Sequence, residues 1–133
     1  MITSYNEYLE KPLSLTLGMM EEVHKEILKG IEGDAGALEL YEDLIQKATQ
    51  YAGIRAQWLL MDRITKIEND DSRTSCHNSL IVKFDVLARH LKNKGKDTVW
   101  RDILGYEKIN RVNRKRIGDF ACYLVFVNSL NAR

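Results

Sequence analysis

An all-α fold, a bundle of four main helices with one or two short extra ones, is what this chain of 133 residues predicts. Three observations carry that expectation. Apolar residues recur at three- and four-residue steps through most of the chain. No alternating segment is bounded by turn signals in the manner of a strand. Eight Gly and one Pro leave little room for linkers or low-complexity stretches. A chain of this length buries roughly 68% of the surface its unfolded form exposes, so a 44% hydrophobic content is enough for one core without disulfide or metal. A single domain over residues 1–133 is expected, with no internal repeat.

The elements follow in order. Ser4-x-x-Glu7 has the spacing of a capping box for a short turn around Tyr8 and Leu9, which Pro12 stops. From about Ser14 to Glu32, Met20, Val23, Ile27 and Ile31 share one stripe while Glu22, Lys25, Glu26 and Lys29 face away, and Gly33 to Gly36 break the helix. Asp34 caps the next helix, expected to run to about Asn69 with Tyr41, Leu44, Ala48, Tyr51, Arg55, Trp58 and Asp62 on one stripe. Asn69-Asp70-Asp71-Ser72 reads as a turn that caps a third helix from about Arg73 to Lys94, with His77, Ile81, Phe84, Leu87 and Leu91 as its stripe. Gly95 closes it. Asp97 or Thr98 then caps a short helix holding Val99, Trp100, Ile103 and Leu104, with Gly105 where a left-handed residue is wanted. A last helix covers about Asn113 to Ala132 through Ile117, Phe120, Leu124 and Val127; Cys122 to Val127 has β propensity but sits inside that longer period.

The first twenty residues carry Glu7, Glu10 and Pro12 instead of the basic start and small-residue cleavage pattern of a secretory signal. No run approaches the ~20 apolar residues of a membrane-spanning helix. A cytoplasmic location and no membrane partner are therefore expected. Cys76 and Cys122 read as packed thiols, not as a bridge.

Charged residues on apolar stripes are the informative positions, because buried charge is expensive unless it is paired. Arg55, Asp62 and His77 each fall in line with core residues. Across a tight turn at Asp71, Asp62 and His77 would be offset by ~4.5 Å along antiparallel helices. A carboxylate so placed would hold the imidazole and raise its pKa, giving an acid–base pair. With Arg63 and Arg73 these residues also suit a structural network that fixes helix register. No P-loop, dinucleotide fingerprint or nucleophile elbow accompanies them, so no catalytic residue and no cofactor is assigned. Glu21-x-x-His24 has the spacing of half a di-iron site, but the second half is missing, and the pair reads as surface. No metal site is expected.

The formal charge of +1 hides a dipolar chain: residues 1–72 hold 7 basic and 14 acidic side chains, and residues 73–133 hold 13 and 5. Such a layout suits self-association or contact with a protein partner. Its densest basic run is Lys108, Arg111, Arg114, Lys115 and Arg116, where the last helix begins. Cations at a helix N-terminus oppose the macrodipole, which makes an external anion a natural partner: phosphate, an acidic protein surface or nucleic acid. Against nucleic acid, the following Ala121 to Val127 is too apolar for a groove and the whole chain is not basic.

Arg55-x-x-Trp58, Arg73-Thr-x-x-His77 and the run Asn113 to Ala121, Asn-Arg-Lys-Arg-Ile-Gly-Asp-Phe-Ala, together resemble a family of small uncharacterised all-helical proteins of Gram-positive bacteria. The resemblance spans the chain from about residue 37 onward. It implies a compact cytoplasmic helical protein of unassigned activity and carries over no catalytic residue. Bacteriocin immunity proteins are similar in size and class alone. The leading expectation is a non-enzymatic interaction or regulatory module that self-associates, with aromatics such as Trp100 and Tyr106 at the contact. Its rivals are an enzyme or small-ligand binder built on Arg55, Asp62 and His77, and nucleic-acid binding through the basic run.

Overall fold

A computed structural model of the chain describes residues 15–105 and 111–131. Among these residues it has five helices and no strand: α1 (Leu17–Ile31), α2 (Ala35–Trp58), α3 (Arg63–Asn93), α4 (Trp100–Leu104) and α5 (Arg111–Asn131). This is the expected all-α bundle. The capping box at Ser4 and Glu7 lies outside the described residues, as do Tyr106 and Lys108.

Local chemistry sets most helix ends. Thr16 accepts the Met19 amide at 3.1 Å and starts α1. Asp34 accepts the Ala37 amide at 3.0 Å and starts α2 as expected. Gly33 and Gly105, at φ 75° and 67°, take the left-handed turns that separate α1 from α2 and end α4. Asp97 accepts the Val99 amide at 2.9 Å, and Val99 itself precedes the first residue of α4 with no side-chain cap, so neither Asp97 nor Thr98 is the cap expected there.

The boundary between the second and third helices differs from the expectation. α2 ends at Trp58, not near Asn69, and the chain reverses through Leu59, Leu60 and Met61 with short-range bonds from Leu60 N–H to Gln57 O and Met61 N–H to Trp58 O. Asp62 then caps α3, its carboxylate accepting the Thr65 amide at 2.8 Å. α3 runs for 31 residues straight through Asn69 to Ser72, where a turn was expected. Those polar residues are satisfied inside the helix: Asn69 donates to the Thr65 carbonyl at 2.8 Å, and Asp70 pairs with Arg73 at 3.2 Å.

α2 is the central helix, packing most extensively on α3 and then on α5, while α1 rests on α2, α4 and α5. The expected stripes form the core: Val23 and Ile27 of α1, Leu44 and Ala48 of α2, Phe84, Leu87 and Leu91 of α3, and Ile117, Phe120 and Leu124 of α5 are fully buried. Trp100 of α4 joins them at 1% exposure. The expectation that Trp100 serves an external contact is thereby corrected. Cys76 is buried, Cys122 half-buried, and both are free thiols. None of the described helices is long and apolar enough to cross a membrane.

Burial stops abruptly along the α2–α3 pair. The last buried residue of α2 is Tyr51 and the first of α3 is Cys76. Residues 52–75 therefore form a helical tip beyond the core.

Candidate functional site

The site lies where that tip meets α5. One turn beyond the buried Tyr51, Arg55 and Trp58 of α2 face Arg73, Thr74 and His77 of α3 and Arg114 and Lys115 of α5 around a cleft of about 450 Å³. No Asp or Glu of the described residues lines it. Four permanent cations from three helices thus share one concave surface.

Each cation is held differently. Arg55 donates to Asp119 at 2.8 Å, and Lys115 reaches the other oxygen of that carboxylate at 3.3 Å. Asp119, only 13% exposed, thereby ties α2 to α5 from beside the cleft. Arg73 lies 4.5 Å over the Trp58 ring in a cation–π contact, and its Nε is buried without a hydrogen-bond partner. The Arg114 side chain has no acidic partner among the described residues.

His77 is the buried polar residue at the floor, 4% exposed. Its Nε2–H donates to the Arg114 carbonyl at 2.9 Å, and its ring meets Tyr51 edge-on at 5.5 Å. Burial pushes its pKa below the ordinary value, and the charges of Arg114, Arg73 and Arg55 push the same way against the favourable carbonyl bond. The imidazole is therefore neutral near pH 7, and with Nε2 committed as donor its Nδ1 carries a lone pair that has no partner.

Gly118 makes the cleft possible. A Cβ there would meet the Tyr51 hydroxyl at 2.5 Å and the Arg55 guanidinium at 3.4 Å. The bare glycine is what lets the Tyr51 hydroxyl lie against the α5 backbone. Tyr51, Gly118 and Asp119 were missed as site residues. A glycine in the middle of an otherwise good helix was the available signal.

Of the polar network expected from sequence, Arg55, Arg73 and His77 come together, whereas Asp62 and Arg63 do not line the cleft. Asp62 and His77 belong to one helix, fifteen residues and ~22 Å apart along its axis. The proposed Asp62–His77 pair is corrected accordingly: Asp62 is an exposed cap, and the His77 pKa is lowered where that pair would raise it. The basic run divides as well. Arg114 and Lys115 face the cleft, Arg116 donates to the Ile103 carbonyl at 2.9 Å and so serves α4, and the Arg111 side chain lies outside the described residues. Glu21 is exposed, and His24 sits 3.5 Å from the Tyr41 hydroxyl. Among the described residues no three His, Cys, Asp or Glu are grouped as metal ligands.

Three separate sequence segments converge on this cleft: Arg55 and Trp58, Arg73 and His77, Arg114 and Lys115. No protein family, no curated protein and no solved structure matches the chain, so the reading of the site rests on its geometry.

Proposed function

We propose that the protein binds a small anionic ligand in the cleft between α2, α3 and α5. The observation that supports this reading is the convergence of Arg55, Arg73, Arg114 and Lys115 on a concave surface with no lining carboxylate. Guanidinium groups suit phosphate and carboxylate oxygens, which they can grip in pairs. A cleft of about 450 Å³ falls in the range of small-molecule sites and admits one anionic group more readily than a nucleic-acid duplex. The ligand would be a metabolite of the bacterial cytoplasm, in keeping with the resemblance to small Gram-positive helical proteins.

Titration calorimetry with inorganic phosphate tests the proposal. Arg73→Gln and Arg114→Gln are each expected to weaken binding about tenfold or more, the loss of one charge-assisted hydrogen bond. No binding, or binding unchanged in both variants, would overturn it.

Self-association is the second reading, supported by a separate observation at the tip. Leu59, Leu60, Ile64 and Ile67 are 73%, 88%, 69% and 68% exposed, a concentration of aliphatic side chains that water does not favour. A second copy of the chain would cover them. Sedimentation equilibrium is expected to show a concentration-dependent dimer that Ile64→Lys with Ile67→Lys dissociates; a monomer at every concentration would overturn this reading.

A further inference from the structure

We infer that the ligand of the basic cleft is an amphiphile, an anionic head group carrying an apolar chain that lies in the groove next to the cleft. The inference rests on the anion reading above and extends it to the neighbouring surface.

The groove has a volume of about 500 Å³ and lies between the start of α1, the last turns of α2 and the second half of α5. Met20, Ala52, Ala56, Tyr123 and Phe126 supply most of its wall. Ala52 and Ala56, one turn apart on α2, leave its floor low. Phe126 and Leu59 stand at its rim, 61% and 73% exposed. A solvent-facing apolar trough of this size is a ligand site by shape and an unfavourable surface when bare.

Arg55 and Leu59 line both the groove and the cleft. The two hollows therefore meet at one guanidinium, whose Nη2 holds Asp119 at 2.8 Å and whose Nη1 lies 3.8 Å from the Cys122 sulfur. On one side of that junction stand Arg73, Arg114 and Lys115; on the other the wall is mostly apolar, with Asp119 beside Arg55 at the junction and the apolar side chains beyond. A purely hydrophilic anion fills the first hollow and gains nothing from the second. An apolar molecule without charge brings no anion to Arg114, which has no acidic partner among the described residues. An anion with a chain satisfies both, with its head beside Arg73 and Arg114 and its chain passing Arg55 and Leu59 into the groove.

Trp58 lines the cleft while Trp100 is buried, so tryptophan emission of the full-length chain reports cleft occupancy. The probes are inorganic phosphate and butyl, hexyl and octyl phosphate, with octanoate beside octyl phosphate to separate a phosphate head from a carboxylate. Affinity is expected to rise with each added methylene by up to about fourfold, and by about tenfold or more from butyl to octyl. Ala52→Phe, which fills the groove without adding a tryptophan, is expected to abolish the dependence on chain length and leave inorganic phosphate unchanged. Phe126→Ser, at an exposed position that folding does not need, is expected to reduce the octyl-to-butyl ratio. Equal affinity for phosphate and octyl phosphate would overturn the amphiphile and leave the anion reading standing. Failure of every probe to bind would overturn both. A chain-length dependence that survives both groove variants would place the chain elsewhere and overturn the assignment of the groove.

Discussion

From Tyr41 to Tyr51 α2 buries Tyr41, Leu44, Ala48 and Tyr51, and from Cys76 to Leu91 α3 buries seven residues, whereas Ala52 to Trp58 and Arg63 to Ser75 contain none. The same two helices thus pass from one source of stability to another. In the first region apolar burial dominates, each core side chain contributing ~1.5–3 kcal/mol. In the second the helices rest on local devices: the Asp62 cap, the Asn69 bond to the Thr65 carbonyl, the Asp70–Arg73 pair and the stacking of Arg73 on Trp58. Local devices of this kind contribute a few tenths of a kcal/mol to about 1 kcal/mol each. The candidate cleft sits on the border, with Tyr51 and His77 anchored in the core and Arg55, Trp58 and Arg73 on the tip. The site thus combines a floor fixed by the core with walls held by local contacts.

The largest expected effect sharpens this contrast. Phe84 is fully buried, so Phe84→Ala should cost about 3–5 kcal/mol in urea unfolding. Ile64, 69% exposed on the tip, is also a large apolar residue, and Ile64→Ala should stay within about 0.5 kcal/mol in dilute protein. Comparable losses at the two positions would mean that the tip is covered in solution, as the self-association reading holds.

Gly118→Ala attacks the border itself. The added methyl falls 2.5 Å from the Tyr51 hydroxyl, and such overpacking costs typically about 1–3 kcal/mol. Tyr51 lines the cleft, so its displacement should lower phosphate binding in parallel. Adding Tyr51→Phe removes the clashing oxygen and should restore part of the stability; an additive double variant would show that the crowding is not at Tyr51.

His77 extends the comparison to pH. Tyr51 and Arg55 face it from α2, Arg73 from its own helix and Arg114 from α5. Because its folded pKa lies below the ordinary 6.5, the unfolded chain binds more protons between those two values, and stability rises with pH across that window to its full value above it. Burial lowers His24 in the same direction, so His77→Asn should flatten the stability profile only in part. An anion in the cleft reverses the electrostatics at His77 and draws a proton onto the imidazole. Binding of sulfate, whose charge does not change in this range, should therefore be tighter at pH 6 than at pH 8, with proton uptake measurable by calorimetry in buffers of different ionisation enthalpy. In His77→Asn both effects should disappear.

What was legible in the sequence follows the same border. Met20, Val23 and Ile27, or Phe84, Leu87 and Leu91, are buried because a core imposes the helical period on them, and the period can be read directly. On the tip only Ile54 packs against the core among the apolar residues described, so little period is imposed. Leu59-Leu60-Met61 contains no Gly or Pro, yet the chain reverses there, while Asn69 to Ser72 looks like a turn and is helix. The cations of the site were visible twice, Arg55 and Arg73 as charges near an apolar stripe and Arg114 and Lys115 as a basic run. That they form one surface depends on how α5 crosses the α2–α3 pair, a tertiary relation that no local pattern encodes.

The smallest effect tests whether the tip is as free of packing as its exposure indicates. Gly53 is exposed inside α2, two residues past Tyr51, and a Cβ there would meet nothing within 4 Å. With no contact to gain or lose, Gly53→Ala should act only through backbone freedom in the unfolded chain and raise stability by up to about 1 kcal/mol in urea unfolding. Phosphate affinity should not change, since Gly53 does not line the cleft. A loss of stability would mean that something packs on that face in solution, and a change in affinity would mean that the glycine bends α2 where Arg55 and Trp58 depart from the core.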